Sequence, residues 1–75
     1  MWKTTLSIEG MRCGMCESHL NDAIRRALPV KKVKSSHRKG EAILLSEAAL
    51  SEADIRRAID PTGYVVTAVR AAPAD

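Results

Sequence analysis

From Lys3 to Glu9 the chain alternates, with Thr4, Leu6 and Ile8 falling on one side and Lys3, Thr5, Ser7 and Glu9 on the other. A period of two with the apolar residues on one side predicts a half-buried strand, and Gly10 ends it. The stretch from Gly10 to Gly14 has no periodicity and reads as a loop. From Cys16 to Leu28 the pattern changes: Leu20, Ala23, Ile24, Ala27 and Leu28 recur at the three- and four-residue spacing of one helical face, and Pro29 stops the run.

Beyond Pro29 the pattern weakens. Val30 and Val33 introduce a polar, basic stretch through Arg38. Lys39-Gly40 then makes a turn, and Ala42, Ile43, Leu44 and Leu45 follow as a second apolar run. This reads as strand, turn, strand, with the first of the two at an edge or exposed on one face. Ser51 with Asp54 three residues later approximates a capping box, and Ile55, Ala58 and Ile59 supply the buried stripe of a second helix that ends before Pro61. Thr62-Gly63 turns the chain into the strand formers Tyr64 to Val69, and residues 71–75 read as a frayed tail. The order is βαββαβ. It predicts an α+β, ferredoxin-like sandwich in which two helices cover one face of a four-stranded antiparallel sheet. The 75 residues are expected to form one domain, with a core over residues 3–69 and a short tail over 70–75.

Length excludes a two-domain enzyme with a cleft between its halves. The longest strictly apolar run, Ala42 to Leu45, is far short of the ~18 residues of a membrane span. Trp2 to Thr5 provides no apolar stretch of the kind a secretory signal contains, which predicts a soluble, cytoplasmic protein without membrane insertion. Charge adds an asymmetry: segment 12–39 carries eight basic and two acidic residues, and the remainder four basic and seven acidic. Such a distribution steers an acidic partner. With Trp2 and Tyr64 as the only aromatic residues, the stacking platform of a single-strand nucleic-acid binder is missing, and no nucleic-acid partner is expected.

Both cysteines lie in Cys13-Gly14-Met15-Cys16, between the first strand and the first helix. A closed structural zinc site takes four ligands, and there is no second pair here to complete one. A disulfide across so short a loop would constrain the unfolded chain very little. Two thiolates at low coordination number suit a soft ion such as Cu(I), and they leave it open to attack by other thiolates. Cys16 falls in the first helical turn, where unpaired N–H groups favour the thiolate. Gly14 is expected to let the loop fold tightly enough for the two sulfurs to converge, so that a bulky residue there harms binding. A dithiol redox couple is the alternative reading of the spacing.

Gly10-Met11-Arg12-Cys13-Gly14-Met15-Cys16, an amphipathic helix after it, and Thr62-Gly63-Tyr64 before the last strand together resemble a heavy-metal-associated (HMA) domain of the bacterial copper-chaperone type. The resemblance covers residues 3–69. It implies a ferredoxin-like fold and Cu(I) held by Cys13 and Cys16. It also implies a role either as a cytosolic copper chaperone or as a module of a copper-transporting P-type ATPase. By the same resemblance Met11 tucks under the loop into the core and Tyr64 stands beside the metal, neither of them a ligand. Leu28-Pro29-Val30 lacks the glycine that family members often have after the first helix, which predicts a shortened turn. Met15 stands where many bacterial members have histidine, and the loop lacks the acidic residue of zinc-transporting relatives, which favours copper over zinc.

The remaining candidates are weaker. Met15 reads as an exposed residue that touches a partner, and His19 as a solvent-facing helical residue, not a ligand. His37 reads as a surface residue without a sequence partner. Arg12, Arg25, Arg26 and the lysines from 31 to 34 form the expected docking face. The expectation is a non-enzymatic Cu(I) carrier acting by thiolate exchange on the metal-binding domain of a copper-transporting P-type ATPase or a similar acceptor. It is expected to be monomeric when apo, with a metal-bridged dimer as the loaded alternative. Mercury- or zinc-binding domains, a dithiol redox protein and a domain cut from a transporter are the other readings.

Overall fold

The structure, a computed structural model, describes residues 1–12 and 14–74. Its elements are β1 (Trp2–Glu9), α1 (Gly14–Ala27), β2 (Lys32–Ser36), β3 (Glu41–Ser46), α2 (Glu52–Ile59), a 3₁₀ turn (Asp60–Thr62) and β4 (Val65–Pro73). The strands form one antiparallel sheet in the order β2-β3-β1-β4. This is the ferredoxin-like βαββαβ fold that the alternation of patterns predicts.

The period of two in β1 does what it must. Thr4, Leu6 and Ile8 are buried beneath the helices, while Lys3 and Glu9 stay exposed on the open face. Ala42 and Leu44 of β3, Val33 of β2 and Val66 of β4 join them. Leu20 and Ile24 of α1 and Ile55, Ala58 and Ile59 of α2 close the core from the helix side. The α1 stripe is narrower than its sequence suggests, because Ala27 is exposed and Ala23 only half-buried. Ser51 caps α2 by accepting a hydrogen bond from the Asp54 N–H at 3.1 Å. The Asp54 carboxylate pairs with Arg57.

Three expectations change. First, α1 begins at Gly14, so the non-helical loop is shorter than the glycine-bounded stretch in the sequence. Second, the 3₁₀ turn carries the chain through Pro61, whose fixed φ suits the start of a helical turn. Third, residues 71–73 are not a frayed tail: Ala71, Ala72 and Pro73 continue β4 opposite Thr4, Lys3 and Trp2, and the Ala74 N–H donates to the Met1 carbonyl at 2.8 Å. The small, weakly patterned side chains that made this segment look frayed do not prevent backbone pairing along an edge. Asp75 lies outside the described residues. β2 is the opposite edge, as its polar composition predicts.

Candidate metal centre

The loop after β1 and the turn before β4 meet at one end of the sheet. Gly10 adopts φ +104°, a backbone conformation that L side chains rarely take, and a Cβ there would stand 3.0 Å from the Tyr64 ring. Met11 follows, buried with 8% of its surface exposed and joined to the core cluster. Arg12 is exposed. Met11 thus pins the loop from below while the residues on either side of it reach the surface.

Cys16 is the third residue of α1, inside the first turn, half-buried and packed against the core. The unpaired N–H groups of that turn make it a favourable place for a thiolate. Cys16 lines an open cleft of about 300 Å³ together with Met15, His19 and Tyr64. Met15 is 76% exposed. Cys13 lies outside the described residues, so its expected role as the second thiolate rests on the sequence.

Gly14 corrects an expectation. It is helical, its φ is not positive, and a Cβ built on it meets nothing within 4 Å. Its place in the fold needs no glycine; of the two glycines that bound this stretch, Gly10 is the one that does.

His37 also corrects an expectation, since it does have a partner. Its backbone N–H donates to Glu17 Oε2 at 2.7 Å and its ring Nδ1 lies 2.6 Å from the same oxygen. One helical turn on, Ser35 Oγ donates to Asn21 Oδ1 at 2.6 Å. These two contacts form a polar seam that fixes α1 against the edge strand β2 and the turn after it. The His37 backbone hydrogen bond and then its side-chain hydrogen bond hold the Glu17 carboxyl below its ordinary value, with smaller help from the charges of His37 and Arg38. The carboxylate next to Cys16 in sequence is therefore engaged by the turn after β2. No local pattern signals a pair whose members stand on either side of a helix-to-strand connection.

The basic segment does not form one face. Lys32 and Lys34 alternate with the buried Val33 and Ser35, so they project from the open side of the sheet, away from α1. Lys31 is paired with Glu47 at 2.9 Å and Arg25 with Asp22 at 3.6 Å. Arg12 and Arg26 stay exposed without an ion pair to a described residue. The docking face expected from Arg12 to Lys34 is split between two sides of the sheet.

No protein-family model matches the chain. It is 35% identical over 63 residues to the copper chaperone CopZ of Enterococcus hirae, an alignment that covers 83% of this chain and 91% of that one. The chain belongs to the copper-chaperone class of heavy-metal-associated domains. A solved CopZ metallochaperone superposes with a TM-score of 0.76 over 87% of this chain and 98% of its own, at 24% identity, a likeness of fold. The HMA chain is also 34% identical over 64 residues to mercuric reductase of Shigella flexneri, matching 85% of its own length but 11% of that enzyme. As a member of this class it is a small metal-binding carrier, not an enzyme. Its family methionine, Met11, is in the core, and its family aromatic, Tyr64, lines the cleft of Cys16. Among the described residues no helix is long and apolar enough to cross a membrane.

Proposed function

We propose that this HMA domain carries Cu(I) between the thiolates of Cys13 and Cys16 and passes it in the cytoplasm to a cysteine pair on a metal-handling acceptor, such as a domain of a copper-transporting P-type ATPase. The observation that carries the reading is the position of Cys16: a half-buried thiol in the first turn of α1, opening on a cleft that an acceptor's sulfur can enter. The likeness to the copper chaperone CopZ supports the choice of copper. Two thiolates at low coordination number suit Cu(I) and leave room for a third.

Transfer then proceeds without a change of oxidation state. An acceptor thiol loses its proton to solvent and its sulfur bonds to the ion. One bond from the ion to Cys13 or Cys16 breaks, and the freed thiolate takes up a proton. A second exchange completes the move, so each bond is replaced as it is lost. Tyr64 covers one side of the cleft and limits the directions from which a competing ligand can approach. The residues 1–75 act as a single unit in this reading, monomeric when apo.

Hg(II), which also accepts two soft thiolates, is the second reading, favoured by the similarity to mercuric reductase. Anaerobic titration of the reduced protein with Cu(I), Hg(II) and Zn(II) in parallel separates them. One Cu(I) per chain, or one shared by two chains, held against a Cu(I) chelator and lost in Cys13→Ser and Cys16→Ser, is the expected result. Ready loss of Cu(I) with retention of Hg(II) overturns copper. Unchanged affinity in both serine variants overturns the site.

A further inference from the structure

We propose that His19 is a third ligand of this site, a nitrogen donor that extends its range to Zn(II) while leaving Cu(I) binding independent of it. The inference rests on the thiolate pair of the preceding reading.

Cys16 and His19 are three residues apart on α1, a spacing that puts their Cβ atoms on one face about 5–6 Å apart. Helical side chains lean toward the helix N-terminus, so an imidazole at position 19 covers the turn that contains Cys16. The structure agrees: His19 lines the same cleft as Cys16, Met15 and Tyr64. The two histidines of the chain differ sharply. His37 is held by Glu17 through both its ring and its backbone, whereas His19 is exposed and makes no hydrogen bond or ion pair with a described residue. His19 is thus an exposed ring that lines the metal cleft and is committed to no other described residue.

The chemistry of the donors sets the consequence. Imidazole suits Zn(II), whereas the thioether of Met15 does not. Among the described residues no three His, Cys, Asp or Glu side chains gather on their own. Cys16 and His19 become a three-donor set only with Cys13, three residues before Cys16 in the sequence. Two sulfurs and one nitrogen give Zn(II) three protein ligands with a fourth position open, the arrangement of exchangeable rather than structural zinc. Cu(I) is satisfied by the two sulfurs and gains little from the ring. The Glu17 carboxylate, the other hard donor near Cys16 in sequence, is engaged by His37, which leaves His19 as the donor for a borderline ion.

The test compares reduced wild-type protein with His19→Ala, an exposed helical position where alanine favours the helix. Zn(II) and Cu(I) affinities are measured separately by competition with a chromophoric chelator, and Co(II) serves as a spectroscopic probe of the donor set. The expected result is a loss of at least tenfold in Zn(II) affinity, Cu(I) affinity within threefold of wild type, and a changed Co(II) absorption spectrum. Zn(II) affinity within threefold of wild type, with Cu(I) retained, overturns the role of His19 and leaves the thiolate reading standing. A parallel fall for both ions overturns the selectivity. Retention of both ions by Cys16→Ser overturns the thiolate reading, and the proposal with it.

Discussion

Gly10 lies directly beneath Tyr64: a Cβ at Gly10 would meet the ring Cδ1 at 3.0 Å and the Tyr64 Cα at 3.8 Å, on a backbone already at φ +104°. The two residues come from opposite ends of the chain, one closing β1 and the other preceding β4, and their contact sets one wall of the cysteine cleft. Gly10→Ala therefore carries two penalties, a strained backbone and a displaced ring. It is expected to cost about 1–3 kcal/mol of stability in denaturant unfolding. It should also move the Tyr64 resonances in an NMR spectrum. A variant of wild-type stability with an unmoved Tyr64 would contradict the contact.

Gly14→Ala has the opposite expected sign. Gly14 is helical and has open space where its Cβ would be. Alanine restricts the unfolded chain and fits the helix, so unfolding stability is expected to rise by about 0.4–1 kcal/mol. Metal affinity should remain within threefold. A tenfold loss of affinity would restore the view that the cysteine spacing needs glycine for its backbone.

The contrast between these glycines shows what was legible in the sequence. Periodicity carried the element order and most of the core, because Leu6, Ile8, Leu20, Ile24, Ile55 and Ile59 can be buried only if their elements pack as they do. The spacing of Cys13 and Cys16 is the sequence signal on which the proposed site rests. Which glycine is conformationally required was not legible, since Gly10 and Gly14 look alike until the path of the backbone and the place of Tyr64 are known. The Glu17–His37 pair was hidden for a similar reason: it joins residues 20 positions apart across a connection whose geometry no local pattern encodes. His19 is exposed, as its helical position predicts, and the three-residue step from Cys16 that could turn it towards the metal side does place it in the cleft.

The Glu17–His37 contact makes a prediction about acid. The folded protein holds the Glu17 carboxyl below its ordinary 4.5 by the hydrogen bonds from His37. A carboxyl so lowered adds stability that is fully present above the ordinary value and is lost as pH falls through the folded one. Glu17→Gln should therefore be less stable than wild type near neutral pH. The gap should narrow below about pH 4.5 as the wild-type carboxyl is protonated. Glu47, lowered chiefly by its hydrogen bond from Lys31, has the same dependence and remains in both proteins. Parallel stability curves from pH 7 to pH 3 would show that the contact contributes nothing.

Splitting of the basic segment changes what governs transfer. Arg12 is exposed and immediately precedes Cys13 in the sequence, whereas Lys32 and Lys34 project from the far side of the sheet. Electrostatic steering acts on association rates and weakens as salt shortens the screening length. At low salt Arg12→Glu should slow copper transfer to an acidic acceptor domain several-fold, with the difference shrinking at high salt. The double variant Lys32→Glu and Lys34→Glu should have the smaller effect in the same stopped-flow assay. Equal effects would mean that steering comes from net charge and not from the surface beside the site.

The last strand provides a test that separates folding from metal binding. Ala71, Ala72 and Pro73 pair with Thr4, Lys3 and Trp2, at the end of the sheet opposite the Gly10 loop. Deleting residues 71–75 strips β1 of a neighbour there and uncovers Thr4, whose hydroxyl is already buried without a hydrogen-bond partner among the described residues. Lost backbone hydrogen bonds at about 0.5–1.5 kcal/mol each put the expected cost on the order of 1–3 kcal/mol, read as a lower guanidinium midpoint. Cys16, Met11 and Tyr64 belong to the other end, so Cu(I) affinity measured under conditions where the shortened chain is folded should be unchanged. An unchanged midpoint would return these residues to the status of a frayed tail. A lost midpoint together with weakened Cu(I) binding by the folded fraction would mean that the two ends of the sheet are coupled.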